Sequence, residues 1–354
     1  MIRDDLDLFL AEWHNDSPVL EVQTSGSTGT PKRITVRKEQ MENSARLTCD
    51  YLGLRQGDKA LLCMPLRYIA GKMMVVRSLV AGLDLVVREP SGHPMKDVET
   101  PLRFAAMIPL QVYNTLQVPE ERERLCRTDI LIVGGGSIDR ELEKEIQALP
   151  NQVYSTYGMT ETLSHIALRR LNGPDASPYY TPFPSVSLSL SSDNTLVINA
   201  PLVTNETLVT NDVAELLPDG RFRILGRKDN IINSGGIKIQ IESVEEALRS
   251  VISANFAITS VPDPKFGEIV VLLVAIGYGH YPYQDNASIL TGTDPLSLPG
   301  QRLYPDSLEK ALETIPKYQR PKRVLLVEAI PLTGSGKIDR AACRRLAIQL
   351  TMDN

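Results

Sequence analysis

Tryptophan occurs once in these 354 residues, phenylalanine six times and histidine four times, and the four cysteines (Cys49, Cys63, Cys126, Cys343) lie far apart. That spacing excludes a disulfide scaffold and the paired Cys/His ligands of a structural zinc site, so reduced thiols are expected. No apolar run reaches the length of a membrane span. The N-terminus, Met1 to Leu8, is acidic and lacks the apolar centre of a signal peptide, so a cytoplasmic protein without membrane insertion is expected. An excess of positive charge is also missing. With 38 basic and 43 acidic residues the net charge is −5, which argues against a general nucleic-acid or anionic-membrane binder. An anionic ligand would have to be held by local donors. The 42% of apolar residues suffices for full cores in a large domain and a smaller one.

The first distinctive stretch is Thr24-Ser25-Gly26-Ser27-Thr28-Gly29-Thr30-Pro31-Lys32, after the alternating run Val19 to Gln23. Glycine removes the Cβ that would hold backbone N–H groups away from phosphate oxygens, and Lys32 adds a mobile positive charge. It is not the standard P-loop, because Pro31 precedes the lysine and Arg33 follows it. By itself such a stretch reads either as a surface turn or as a phosphate cradle.

Residues 38 to 54 carry Met41, Ala45, Thr48, Cys49 and Leu52 at helical spacing, ended by Gly53 and Gly57. Ala60 to Met64 is a short buried strand stopped by Pro65. Gly71 to Gly82 is apolar on nearly every face and suits a buried helix. Arg77 inside it either snorkels to the surface, pairs with a structural carboxylate, or faces a ligand. Asp84 to Arg88, Ile130 to Val133 and Gln152 to Tyr157 read as further strands, with a helix over Arg140 to Leu149. The alternation predicts a mainly parallel α/β sheet covered on both faces, with ligands beyond the carboxyl ends of its strands. From about residue 172 the texture becomes β-rich: strands are predicted at Ser185 to Leu190, Thr195 to Ile198, Thr207 to Thr210, Val213 to Leu217 and Arg221 to Leu225. After Gly226-Arg227-Lys228-Asp229 comes a helix (Glu242 to Val251), then strands Asn255 to Val261 and Glu268 to Ile276. Residues 278 to 305 read as a surface insertion. Helix Ser307 to Thr314, strand Arg323 to Glu328, a Gly-rich loop and a helix from Asp339 follow. The predicted division is a large domain over 1–227, its β-rich subdomain at about 172–227, and a small mobile α+β domain over 228–354.

Five motifs stand in order: Thr24 to Lys32; Gly134-Gly135-Gly136; Tyr154-Ser155-Thr156-Tyr157-Gly158-Met159-Thr160-Glu161; Thr210-Asn211-Asp212 with Gly226 to Asp229; and Gly334-Ser335-Gly336-Lys337-Ile338-Asp339-Arg340. The set resembles the adenylate-forming (AMP-binding) superfamily of acyl-CoA synthetases, carrier-protein adenylation domains and luciferases, over residues 22 to 345. Family members carry a much longer segment before the first loop, where this sequence has 23 residues. The resemblance therefore implies a reduced N-terminal subdomain and a cleft walled by fewer elements, or in part by the second subunit of a homodimer.

The resemblance implies two-step chemistry with ATP, Mg²⁺ and coenzyme A. A carboxylate attacks the α-phosphorus to give an acyl-adenylate and pyrophosphate, and a thiol then displaces AMP. Both steps concentrate negative charge, which calls for donors and cations rather than a strong base. By resemblance, Thr24, Ser25, Gly26, Ser27, Thr28, Gly29 and Lys32 hold the β- and γ-phosphates. Tyr157, with Thr156 and Gly158 in the same motif, stacks on adenine, and Gly134, Gly135 and Gly136 let the backbone approach the base. Thr160 takes the α-phosphate and Glu161 the metal. Asp212 and Arg227 contact the ribose, although Asn211 stands where glycine is commoner. Lys337 reaches the substrate carboxylate and α-phosphate during adenylation. Asp229 is the hinge whose rotation withdraws Lys337 and brings Gly235, Gly236 and Lys238 to the thiol channel.

Within the superfamily, Pro65 to Gly71 followed by Arg77, together with Thr162-Leu163-Ser164-His165 after Glu161, looks most like the o-succinylbenzoate:CoA ligases of menaquinone biosynthesis. Arg67-Tyr68 replaces the Phe-His usual there. The carboxylate of such an acid that does not react needs donors, for which Arg67, Lys72 and Arg77 are the cationic candidates and Ser164 and His165 the neutral ones, with Tyr68 as aromatic gate. The rivals are a CoA ligase for another carboxylic acid and an amino-acid adenylation enzyme loading a carrier protein.

Overall fold

The computed structural model describes residues 2–23, 33–136, 138, 140–249, 252, 254–275, 297–298, 301–302, 312–313, 315–333 and 338–352. The chain forms two compact units. One comprises Met1–Ser192, Leu196–Thr210 and Glu215–Arg223; the other comprises Asp193–Thr195, Asn211–Ala214 and Ile224–Asn354.

The first unit opens with helix α1 (Ile2–His14), an element that the sequence pattern does not announce, which buries Ile2, Phe9 and Trp13 along one side. Strands β1 (Val19–Gln23) and β2 (Arg33–Arg37) pair antiparallel from Val19 against Arg37 to Gln23 against Arg33. Helix α2 (Lys38–Leu52) ends at Gly53, whose φ of 63° closes the last turn in the left-handed conformation that glycine adopts without Cβ strain.

Next in the chain is a seven-stranded sheet. Its chain order is β3 (Lys59–Leu62), β4 (Asp84–Val87), β5 (Leu102–Met107), β6 (Thr128–Val133), β7 (Gln152–Gly158), β8 (His165–Arg170) and β9 (Thr181–Pro182); its spatial order is 4-3-5-6-7-8-9. The first five strands in space run parallel, and β8 and β9 add antiparallel. The sheet is thus mainly parallel, as the alternation of strands and helices requires. Three of its strands are not apparent in the sequence pattern, β9 because it is only two residues long. Leu102–Met107 is buried on both faces and shows no alternation, while His165–Arg170 is polar at both ends. The direction of strand addition reverses between β3 and β5, the kind of switch point beyond whose carboxyl ends ligands sit in open α/β sheets. Helix α3 (Ile69–Ala81) packs here, with Met73, Met74, Val75, Val76 and Arg77 all buried. Gly71 is demanded by closeness: a Cβ there would stand 2.5 Å from the Pro65 carbonyl oxygen.

The β-rich stretch contains Ser187–Leu190 paired antiparallel with Thr195–Asn199, then Leu208–Leu216 and Phe222–Arg227. The two strands expected over 207–217 are one. Asn211-Asp212 therefore lies within extended backbone rather than at a turn, there being no Gly or Pro to break the run.

In the second unit Ile231–Ser234 and Ile237–Gln240 form an unanticipated hairpin. It joins Gly267–Ala275 and Phe256–Asp263, and Arg323–Val327 pairs parallel to Gly267–Ala275. Side chains alternate strictly. Val270, Leu272 and Val274 enter a core with Val244 and Leu248 of helix Ile241–Arg249. Ile269, Val271 and Leu273 enter another with Cys343 and Ala347 of helix Arg340–Met352. One sheet covered by a helix on each face gives this unit an α+β architecture. Of the insertion expected at 278–305, the described residues form only the short antiparallel pair Ser297–Leu298 and Gln301–Arg302. The helix expected at 307–314 lies outside the described residues save for 312–313.

Candidate active site

Gly134, Gly135 and Gly136 follow β6 at its carboxyl end, where the Gly134 N–H donates to the Met107 carbonyl at 3.0 Å. Thr156 lies on the neighbouring strand, and a Cβ on Gly134 would stand only 2.3 Å from its Oγ1. The turn is pressed against Thr156 because glycine permits it. Tyr157 makes a T-shaped contact with Phe222 at 5.1 Å and a tilted one with Tyr180 at 5.8 Å, so its ring is held in an aromatic group. Gly158 is equally constrained, since a Cβ would meet the Ser164 carbonyl oxygen at 2.2 Å.

Thr160 and Glu161 form a short 3₁₀ turn with Thr162, and Glu161 is exposed. Thr162 Oγ1 accepts from the Met159 N–H at 3.0 Å and lies 2.8 Å from the Ser164 carbonyl, which ties the turn to the residue that leads into β8. Leu163 has φ 65° and ψ −38°, and Ser164 N–H donates to the Thr162 carbonyl at 2.7 Å across it. This is a strained γ-turn, a conformation that costs about 1–3 kcal/mol and persists where surrounding structure enforces it. No group of three or more His, Cys, Asp or Glu residues able to hold a metal exists among the described residues. A lone exposed carboxylate fits Mg²⁺ shared with substrate phosphates rather than a metal caged by protein.

The acid-binding candidates separate into three places. Lys72 Nζ is 3.2 Å from Glu12 of α1 and 5.1 Å from the centre of the Phe9 ring, so its charge is already paired. Arg67 is exposed and stacks over Tyr68 at 4.9 Å. Arg77, Ser164 and His165 come together. Arg77 is 2% exposed, its Nη2 donates to Ser164 Oγ at 2.5 Å, and its buried Nε has no partner. No carboxylate pairs with Arg77 among the described residues. Burial pulls its pKa down to about 10, opposed by Cys49. Burial pushes that thiol up to about 11, so it stays neutral and compensates nothing. His165 Nδ1 is 3.3 Å from Ser164 Oγ, and its Nε2 is 3.0 Å from Thr48 Oγ1. Burial, with Arg77 adding to it, holds the imidazole well below its ordinary pKa, hence neutral. In the sequence Thr48 stands out only as part of the helical periodicity of 38–54. Its signal is a hydroxyl on an otherwise apolar, fully buried face, four residues after Ser44.

In the second unit Asp212 is 3.6 Å from Arg227, and Arg227 also reaches Asp229 at 3.1 Å. Asn211 Nδ2 donates to Asp229 at 3.1 Å, so the residue that departs from the expected glycine is part of the same polar group. Gly226 has φ 155°, a conformation that other residues rarely adopt, and a Cβ there would fall 2.4 Å from Gln240 Nε2. Gly235 and Gly236 form the two-residue turn of the hairpin with φ of 58° and 82°, a geometry that strongly favours glycine. Lys238 is exposed beside them. Thr24, Ser25, Gly26, Ser27, Thr28, Gly29, Lys32 and Lys337 lie outside the described residues. The stem of the last loop is described: Leu332 bridges Ile338, and the Asp339 N–H donates to the Pro331 carbonyl at 2.9 Å.

A glycine turn against Thr156 and a held tyrosine thus stand at the carboxyl ends of a parallel sheet, and the chain belongs to the AMP-binding enzyme family, which matches residues 7–208. It is an adenylate-forming enzyme of the acid–CoA ligase class. It is 26% identical to a probable 2-succinylbenzoate–CoA ligase of Mycobacterium tuberculosis, over 96% of this chain and 87% of that protein. Among solved structures it resembles an acyl-CoA synthetase (AMP-forming)/AMP-acid ligase II-like protein of Dyadobacter fermentans, with 30% identity, a TM-score of 0.60 and coverage of 97% and 92%. The o-succinylbenzoate coenzyme A synthetase of Bacillus subtilis, solved with ATP and magnesium ion, shares the fold: TM-score 0.69, 21% identity, coverage of 91% and 68%.

Proposed function

We propose that this enzyme activates o-succinylbenzoate with ATP and transfers it to coenzyme A. The observation that carries this reading is Arg77: a guanidinium buried in an apolar helix, bonded to one hydroxyl, with its Nε unpartnered. An uncompensated buried charge costs several kcal/mol. A second carboxylate on the acid would supply the missing anion, whereas a fatty acid would leave the cost in place. The names of the relatives point to the same acid.

In the first step the reacting carboxylate forms a bond to the α-phosphorus as pyrophosphate leaves; in the second, the coenzyme A thiol, losing its proton, forms the thioester as AMP leaves. Gly134 to Gly136 and Tyr157 would bind the adenine, Asp212 and Arg227 the ribose, and Thr160 the α-phosphate. Glu161 would hold Mg²⁺, which supplies charge neutralisation at the phosphates. Lys337 would bridge the two reacting groups during adenylation, and rotation near Asp229 would then bring the Gly235-Gly236 turn and Lys238 to the thiol channel. Incubation of the protein with ATP, Mg²⁺, CoA and one acid at a time tests the reading by mass-spectrometric detection of the thioester. A thioester from o-succinylbenzoate, with little from benzoate or a fatty acid, is expected. The reverse preference would refute the assignment.

A further inference from the structure

Four contacts lead away from Arg77 into the core: Nη2 to Ser164 Oγ at 2.5 Å, Ser164 Oγ to His165 Nδ1 at 3.3 Å, His165 Nε2 to Thr48 Oγ1 at 3.0 Å, and Thr48 Oγ1 to the Ser44 carbonyl at 3.1 Å. Donor and acceptor capacities order this chain. Arginine can only donate and a carbonyl can only accept, so both ends are fixed. All four bonds form together in one arrangement: Arg77 donates to Ser164, the Ser164 hydroxyl donates to Nδ1, Nε2–H donates to Thr48, and the Thr48 hydroxyl donates to Ser44. With the proton on Nδ1 instead, histidine would donate to Ser164 and Thr48 to histidine. The Ser44 carbonyl would then lose its donor from Thr48, and the serine proton would have no acceptor in the chain. The second arrangement forms one hydrogen bond fewer among these groups, so the first prevails. Thr48 and Ser44 are fully buried, and His165 is further fixed by a tilted contact with Phe183 at 5.6 Å.

Both ring nitrogens of His165 are therefore occupied within the protein. We propose that Thr48 and His165 are positioning residues for acid recognition: anchored on the Ser44 carbonyl, they turn the Ser164 hydroxyl so that its oxygen receives Arg77 Nη2, leaving the other guanidinium N–H groups to the second carboxylate. The inference rests on the reading of Arg77 as the acid's partner, and it adds that Arg77 is aimed from the neighbouring helix α2.

Two measurements test it. In ligand-free protein labelled with nitrogen-15 histidine, long-range proton–nitrogen correlation should show His165 as the Nε2–H tautomer, with Nδ1 accepting a hydrogen bond. An Nδ1–H tautomer would overturn the ordering, whatever the substrate proves to be. In pyrophosphate exchange with whichever acid the wild-type chain activates, Thr48→Val should raise the KM for the acid about tenfold and leave the KM for ATP unchanged, and Thr48→Ser should restore the wild-type value. Equal changes in both constants, or a serine variant as impaired as the valine variant, would reduce Thr48 to a packing role. Failure of wild-type protein to activate o-succinylbenzoate would count against the proposed substrate alone.

Discussion

Arg77 joins two opposed requirements in one side chain. For folding alone, a buried guanidinium without a carboxylate partner is unfavourable, and replacing it by an apolar group of similar length removes that cost. On the proposed function it is the central donor to the carboxylate that does not react. Arg77→Met should therefore leave the urea unfolding midpoint unchanged or raised while increasing the KM for the acid at least tenfold; a variant that lost stability and kept its KM would show a purely structural arginine. His165 gives a second test. Its folded pKa is depressed by burial, so below about pH 6.5 the unfolded chain takes up a proton that the folded chain refuses. Stability should fall as the pH drops through and below that value, by up to about 1.4 kcal/mol per unit, and His165→Asn should flatten this part of the profile of urea midpoint against pH. At this scale the sequence is partly legible. A charge in an apolar helix announces Arg77, but Thr48 looks like one more position of a helical stripe, because a buried threonine and a buried valine leave the same periodicity. Lys72 and Arg77 look equivalent as cations. Only the packing of α1 reveals that Glu12 is the partner of Lys72.

Among the elements, close approach explains which glycines matter. Gly134→Ala would drive a methyl group into Thr156 Oγ1 and should raise the KM for ATP several-fold. Removing that oxygen leaves the next Thr156 atom 3.5 Å from the added Cβ. Gly134→Ala combined with Thr156→Ala should therefore be less impaired than the sum of the two single changes, and strict additivity would show that the contact is irrelevant. In the second unit the base of the last helix is held by Arg340, whose Nη1 and Nη2 reach Glu245 at 2.5 and 2.8 Å, while Glu245 also accepts the Ile258 N–H at 2.9 Å. Glu245 is the deeper partner, with 3% of its side chain exposed against 26% for Arg340. Arg340→Ala, which strands the buried carboxylate, should cost about 3 kcal/mol in urea unfolding and more than Glu245→Ala, which leaves a guanidinium able to reach water. Strands with alternating or β-branched patterns are legible at this scale. Leu102–Met107 is not, because a strand buried on both faces carries no period, and the Gly235-Gly236 turn points in the sequence to a ligand rather than to the hairpin that its two positive φ angles close.

For the whole molecule, the five motifs in order carry most of the functional reading, and of those that are described Gly134 to Gly136, Gly158 and Arg227 fall where a strand ends. Their order is a property of topology, and it survives even where single positions such as Asn211 depart from the expected residue. Order cannot convey which charges are already satisfied: Asp229, expected as a hinge, is also the shared acceptor of Arg227 and Asn211. If the second unit alternates between two half-reactions, Lys337→Ala should abolish adenylation by orders of magnitude while sparing thioester formation from supplied acyl-adenylate. Equal losses in both would argue against alternation. The central claim is that a buried arginine selects an acid with a second carboxylate. ATP–pyrophosphate exchange with o-succinylbenzoate, set against the same acid lacking the carboxylate that does not react, tests it most directly. The account predicts at least a hundredfold preference for the dicarboxylate in wild-type protein, collapsing to within a few-fold in Arg77→Met; equal exchange with both acids in the wild type would contradict it.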